Sequence, residues 1–282
     1  MKTIAYLGPE NTNTHVAAGK KFGPRCAYLH AATVEEVFQL VEWEKADFGV
    51  VPVENSLEGA VTHTLDRFVD FKKSPVKIHG EIDLPIQHYL ILHKETPLGE
   101  VREVFSHPQA LGQCRRWLEK HLSSLTRQFE TSSTAEAVEW LVRNDARVGS
   151  FRRAAVARKK LAQQHGLKAI PIPIDRENRT RFLILGLGMP RQGRRNKTSL
   201  MFSLKDRPGA LYEALTPFRR YQINLTKIES RPSKRKAWEY RFFIDLEGHL
   251  EEDRVKRALK ELRSSTTDCQ VLGSYPLAAN RS

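Results

Sequence analysis

The sequence predicts an α/β protein in two parts. Residues 1–186 form a strand–helix alternating domain large enough for two lobes, and residues 197–282 a ferredoxin-like βαββαβ unit. Three observations predict this. Short apolar runs alternate with helix-spaced segments through the first part. The stretch GLGMPRQGRRNK, around residues 187–196, holds Gly, Pro and Arg with no apolar periodicity and reads as an exposed linker. Beyond it the order of elements changes. A length of 282 residues also makes two domains the default.

In the first part the strand-like runs are TIAYLG (3–8), DFGVVPV (47–53), IQHYLILH (86–93), VREVF (101–105) and AIPIPI (169–174), with a further apolar run at 181–186. Val34, Val37, Phe38 and Val41 repeat at helical spacing behind Thr33 and Glu36, a capping box. Ser133 and Glu136 form a second box ahead of Val138 and Leu141. Alternation of this kind argues for largely parallel sheets. In the second part KTSLMFSL (197–204) reads as a strand and Pro208 to Tyr221 as a helix opened by proline. INLTKIES (223–230) and AWEYRFFIDL (237–246) read as strands joined by a basic turn. Glu251 to Arg263 reads as a helix with Val255, Leu259 and Leu262 on one face, and CQVLGSY (269–275) closes the unit. Such a unit has one sheet face bare of helices and often pairs with a copy of itself.

Composition narrows the function classes. About 40% of residues are hydrophobic and 28% charged, a globular balance. No apolar run reaches the ~18 residues of a membrane helix, and the N-terminus has no signal-peptide pattern. Cys26, Cys114 and Cys269 are isolated, which argues against a disulfide framework or zinc site and fits a reducing cytoplasm. The net charge of +13 is uneven. Residues 1–186 carry 26 Lys and Arg against 22 Asp and Glu, and residues 187–282 carry 20 against 11. With no helix-turn-helix, zinc-finger or RNA-binding aromatic pattern, this reads as surface charge rather than a nucleic-acid interface.

Four strand ends run into helix starts rich in small polar residues: GPENTNTH (8–15), ENS (54–56), SHPQ (106–109) and TSST (131–134). Each is either an N-cap alone or part of a site for a carboxylate or phosphate beyond the strand ends. No GxSxG, Walker loop, GxGxxG or HExxH is present. His88 and His93, five apart, point to opposite strand faces and make a poor metal pair. The residues alone thus yield an anion-binding α/β domain with a ferredoxin-like partner.

The segments VPVENSLEG (51–59), SHPQALGQC (106–114), STAEA (133–137) and NRTRF (178–182) resemble the signatures of prephenate dehydratase. KTSLMFSLKDRPGALYEAL (197–215) and INLTKIESRP (223–232) resemble its ACT regulatory domain. The resemblance runs through essentially the whole chain in order. It implies a two-lobed, periplasmic-binding-protein-like catalytic domain and the monofunctional form of the enzyme. The implied reaction is conversion of prephenate to phenylpyruvate, water and carbon dioxide in phenylalanine synthesis. The resemblance implies no cofactor or metal, and a homo-oligomer, dimer or tetramer, built through ACT domains.

The family's proposed acid corresponds to Thr180. A threonine is a very weak acid, so a hydrogen bond to the departing oxygen suits it better than full proton transfer. Thr12, Asn55, Ser56, Ser106, Gln113, Ser133 and Thr134 are implied substrate contacts. Arg181 is either an anion clamp or a structural ion pair. Glu54 and Glu58 read as local structural partners. Gly209, Ala210, Leu211, Asn224, Leu225, Glu229, Ser230 and Arg231 match the segments that bind phenylalanine between paired ACT domains. The first motif departs from the family pattern, with Asn11 in a glycine place and Asn13 in an aromatic one. Asn11 tolerates the left-handed turn, whereas Asn13 removes an apolar wall. His165 also departs from the usual YGL. Arogenate as substrate, or a non-catalytic sensor of an anionic metabolite, are the competing readings.

Overall fold

The computed structural model describes residues 1–70, 74–143, 152–174, 177–233 and 240–277. The first lobe contains β1 (Thr3–Leu7), α1 (Asn13–Phe22), β2 (Ala27–Ala31), α2 (Val34–Glu42), β3 (Phe48–Asn55), β4 (Gly59–Ala60), α3 (Thr62–Asp70) and β5 (Val76–Pro85). The second contains β6 (His88–Leu92), β7 (Glu103–Ser106), α4 (Pro108–His121), β8 (Arg127–Glu130), α5 (Thr134–Arg143), β9 (Arg153–Ala157), α6 (Lys159–Gln164) and β10 (Lys168–Ile172). The chain then returns to the first lobe as β11 (Arg179–Leu187).

The sheets run β2-β1-β3-β11-β5, with β4 against β3, and β10-β6-β9-β7-β8. They are mixed rather than largely parallel. β1 lies parallel to β2 and β3, and β7 parallel to β8 and β9. The strand beside each parallel set enters from the other lobe and runs antiparallel: β11 in the first lobe, β6 in the second. The chain thus crosses between lobes twice, between β5 and β6 and between β10 and β11. The gap between the lobes lies at the carboxyl ends of the parallel strands, where α/β sheets bind ligands.

Local signals explain these elements. Thr33 Oγ1 accepts from the Glu36 N–H (3.1 Å), and Glu36 Oε2 accepts from the Ala32 N–H (2.7 Å), closing the expected box. Val34, Val37, Phe38 and Val41 are the buried face of α2. The second box repeats this with Ser133 Oγ accepting from Glu136 N–H and Glu136 accepting from Ser132 N–H.

The C-terminal domain has the expected βαββαβ order: β12 (Asn196–Ser203), α7 (Ala210–Arg220), β13 (Leu225–Pro232), β14 (Tyr240–Glu247), α8 (Asp253–Ser265) and β15 (Asp268–Pro276). Residues 237–239 of the expected third strand lie outside the described residues. The sheet order is β13-β14-β12-β15. Leu200, Phe202, Ile244 and Leu246 face α7 and α8. The opposite face carries neither of the unit's helices, as expected, but it is covered by the first lobe. Met201, Phe243, Leu272 and Tyr275 join one cluster with Val37, Val51, Ile78 and Leu183 of the first lobe. Gly273 lets β15 approach β5 closely: a Cβ there would stand 2.3 Å from the Ile78 carbonyl oxygen. The two domains therefore share a core.

Candidate active site

The four polar turns meet in one cleft. Thr12, Asn13 and Thr14 follow β1, Asn55 ends β3, His107 and Gln109 start α4 with Gln113 one turn further on, and Ser132, Ser133 and Thr134 start α5. With His63, His88, Thr180 and Phe182 they line a cavity of about 510 Å³ between the lobes. Its described lining side chains include no Lys, Arg, Asp or Glu.

Caps build much of the wall. Thr12 Oγ1 accepts from the His15 N–H and donates to the Leu7 carbonyl. Asn11 takes the left-handed conformation expected of it, at φ 63°, and its N–H donates to His15 Nδ1 (2.9 Å). His15 stacks on Tyr6. In place of the aromatic wall, Asn13 Oδ1 accepts from Arg158 Nη1 of the other lobe (3.1 Å).

At the centre is a ring of amides whose orientation chemistry fixes. Asn55 Oδ1 accepts from the Leu57 and Glu58 N–H groups, so its Nδ2 faces away and donates to Thr180 Oγ1 (3.0 Å) and Asn178 Oδ1 (2.8 Å). Asn178 Nδ2 donates to Gln113 Oε1 (2.7 Å), and Gln113 Nε2 donates to Glu58 Oε1 (2.5 Å). A carboxylate only accepts, which sets Gln113. Gln113 Oε1 is therefore an acceptor for His88 Nε2–H at 2.8 Å, leaving the lone pair on Nδ1. That Nδ1 has no hydrogen-bond partner among the described residues. The consequence for Thr180 is direct. Its oxygen accepts from Asn55, no protein acceptor takes its hydrogen among the described residues, and it lines the cleft. It is a hydrogen-bond donor held ready.

The structure corrects three expected substrate contacts. Ser106 is fully buried, and its hydroxyl donates to the Val156 carbonyl, tying β7 to β9. Ser56 Oγ donates to the Glu177 carbonyl and accepts from the Arg179 N–H, outside the lining. Arg181 is a structural ion pair and not an anion clamp. Strand neighbours face opposite ways, so Thr180 faces the cleft and Arg181 the C-terminal domain. Arg181 meets Glu54 Oε2 (2.5 Å), Asp245 Oδ2 (2.7 Å) and Glu81 Oε2 (3.2 Å). Lys197 joins Glu81, and Lys227 joins Glu54. Burial disfavours every charge here. The attraction outweighs it, holding Arg181 above its ordinary pKa and Glu54 and Asp245 below theirs.

Sequence reasoning missed Asn178 and the central place of His88 and Glu58. Asn178 opens the recognised NRTRF segment, but nothing in the sequence shows that it meets Gln113, 65 residues away.

The expected effector residues divide. Arg231, Arg241 and Ser203 share one end of the sheet by register. Glu229, Ser230 and Arg231 therefore lie at the end from which the chain leads to α7, where Gly209 caps the helix at φ 80° ahead of Ala210 and Leu211. Asn224 and Leu225 lie at the other end of β13. Arg231 also meets Asp66 of the first lobe (3.4 Å). One chain alone does not bring the two groups together.

Burial lowers the pKa of His15, His79 and His88, with burial the largest cause in each. An unfolded histidine, with a pKa near ~6.5, then binds its proton before the folded one does. Stability from these groups is complete above that value and lost on acidification. The midpoint of urea unfolding is expected to fall between pH 7.5 and 5.5, and His88→Gln to flatten that fall. A midpoint indifferent to pH over this window would refute the assignment.

A two-lobed α/β cleft with a neutral polar lining and a ferredoxin-like domain fused to its first lobe defines a small-molecule enzyme with an appended ligand-type module. Residues 4–189 match the prephenate dehydratase family and residues 198–264 the ACT domain. The chain belongs to the prephenate dehydratase family, enzymes of the carbon–oxygen lyase class. It is 48% identical over 277 residues to a bifunctional chorismate mutase/prephenate dehydratase of Aquifex aeolicus, covering 98% of this chain and 74% of that one. It is 36% identical to a prephenate dehydratase of Methanocaldococcus jannaschii, covering 98% of each. A solved prephenate dehydratase from Arthrobacter aurescens in complex with L-Phe superposes with a TM-score of 0.85 at 31% identity, covering 99% and 91%. No helix among the described residues is long and apolar enough to cross a membrane. No group of three or more metal-ligating side chains occurs among them.

Proposed function

We propose that this chain converts prephenate to phenylpyruvate under control by phenylalanine. The observation that carries the reading is the Thr180 hydroxyl, which accepts from Asn55 and lines a neutral cleft with its hydrogen taken by no protein acceptor among the described residues. In the reaction the ring carbon–hydroxyl bond breaks and its oxygen leaves as water. The ring carboxylate departs as carbon dioxide, and the electron pair of that bond completes the aromatic ring. The dianion takes up one proton and yields the phenylpyruvate monoanion. Thr180 donates a hydrogen bond to the departing oxygen, where negative charge develops. The neutral lining lets the ring carboxylate shed solvation without a fixed cation to hold it back. Thr12, Ser133 and Thr134 supply polar contacts at the walls. Asn55 and Gln113 act within the amide ring, Asn55 positioning Thr180.

Prephenate is favoured over arogenate because arogenate carries an ammonium group, and the described lining offers no carboxylate to receive it. Phenylalanine control draws support from the relative solved with L-Phe. It also has a physical route. Glu54 and Arg181 sit beside Asn55 and Thr180 on the same two strands, facing the other way, and contact Lys227 and Asp245 of the ACT domain. Lys227 lies on the same strand as Glu229 and Arg231, two of the expected effector residues. The unpaired edge of β13 leaves Ile228 half exposed, beside exposed Thr226 and Ser230, and is the surface through which a second copy would complete the effector site.

Rate assays on the full chain with prephenate and arogenate side by side test the substrate, with kcat/KM at least ~100-fold higher for prephenate expected. Phenylalanine titrated by calorimetry and into the same assays tests control, with a coupling of about 1–3 kcal/mol expected. Equal use of both substrates would sink the choice of prephenate, and binding without a rate effect would sink the control.

A further inference from the structure

Prephenate carries two carboxylates, yet the described cleft lining carries no cation. One guanidinium, from a neighbouring depression that it lines with Lys159 and Lys160, reaches a residue of this lining. Arg158 directly follows β9, at the carboxyl end of that strand, and its Nη1 reaches across the gap to Asn13 Oδ1 at 3.1 Å. Asn13 lines the cleft, as does His88, whose protonation Arg158 disfavours through its charge. Arg158 is half-buried, and burial lowers its pKa. It forms no ion pair among the described residues. Arg181, Arg153, Arg231 and Arg241 are matched to Asp245, Glu103, Asp66 and Asp268, whereas Arg102, as covered as Arg158, donates to the Gly99 and Val101 carbonyls on its own lobe. A desolvated cation without a counter-charge is costly, and an anionic ligand removes the cost.

We propose that Arg158 binds the side-chain carboxylate of the substrate, an inference that rests on the prephenate reading above. The choice between the two carboxylates follows from the reaction. The ring carboxylate loses its charge as carbon dioxide departs, so a cation fixed against it would stabilise the ground state more than the transition state and slow the step. The side-chain carboxylate keeps its charge from substrate to product. A guanidinium fork on it gives the same binding energy throughout, and it places the ring without opposing decarboxylation. Asn13 holds the fork across the lobes.

This uniform binding has a readout of its own. Arg158→Gln is expected to raise KM for prephenate at least ~30-fold and to leave kcat within about 3-fold. The inhibition constant of phenylpyruvate, which retains the same carboxylate, is expected to rise by the same factor as KM. Arg158→Lys, which keeps the charge but loses the fork, is expected to raise both constants about 5-fold, and it carries the test if Arg158→Gln does not fold. Unchanged KM and phenylpyruvate inhibition in a folded variant would overturn the assignment, as would a fall in kcat alone. Wild-type protein that does not turn over prephenate at all would instead overturn the functional reading.

Discussion

Thr180→Ala is expected to lower kcat at least ~100-fold while KM stays within a few-fold, measured by steady-state kinetics with prephenate. Removing one preorganised donor from a developing negative charge costs about 10²–10³ in rate. The geometry makes Thr180 such a donor. Its oxygen accepts from the Asn55 amide at 3.0 Å, and its hydrogen, taken by no protein acceptor among the described residues, is available to a group in the cleft. The contact strengthens as the carbon–oxygen bond breaks, so its loss appears in kcat and not in ground-state binding. Thr180→Ser keeps the hydroxyl but frees its rotation, and partial activity is expected. Asn55→Ala acts on the same donor and should lower kcat in kind, because Asn55 orients the hydroxyl. Near wild-type kcat in Thr180→Ala would remove Thr180 from the chemistry.

Elements with a one-dimensional signal were legible in the sequence. The apolar runs at 3–8, 47–53 and 86–93 became β1, β3 and β6, and the capping boxes at Thr33 and Ser133 formed as chemistry requires. β5 was missed although its signal was present: Val76, Ile78, Ile82 and Leu84 alternate with polar residues, a period of two that a search for apolar runs passes over. The convergence of four polar turns was legible only as four separate caps. Which serines face the cleft was not. Ser106 and Ser133 stand in similar turns, yet Ser106 turns inward to the Val156 carbonyl while Ser133 lines the cavity. That difference depends on β9, some 50 residues further along the chain, lying beside β7. The same limit hid Arg181's role. Alternation along β11 established that it faces away from Thr180, but not that Asp245 of another domain waits there.

That cluster carries the largest expected stability effect. Arg181→Leu removes the one cation that touches Glu54, Glu81 and Asp245 together. Asp245 is buried, and Ser199 Oγ (2.6 Å) is its other side-chain hydrogen bond. Leaving a buried charge unpaired costs about 3–5 kcal/mol, more than the intact cluster contributes over an apolar replacement. Urea unfolding at pH 7.5 is expected to show that loss. The pH dependence gives its sign. In the native protein Glu54 and Asp245 have lowered pKa values, so their stabilisation is present at neutral pH and lost as pH falls through the acid range. Without Arg181 burial dominates, both carboxyls shift upward, and the folded variant takes up protons before its unfolded chain does. The deficit against wild type is therefore expected to shrink between pH 7.5 and 5. Because Glu54 and Arg181 back onto Asn55 and Thr180, variants that still fold should also lose the rate response to phenylalanine while keeping measurable basal turnover. A deficit under 1 kcal/mol, or one that grows on acidification, would mean that lobe and ACT domain are held by the shared apolar core of Val37, Ile78, Met201 and Phe243 and not by these charges.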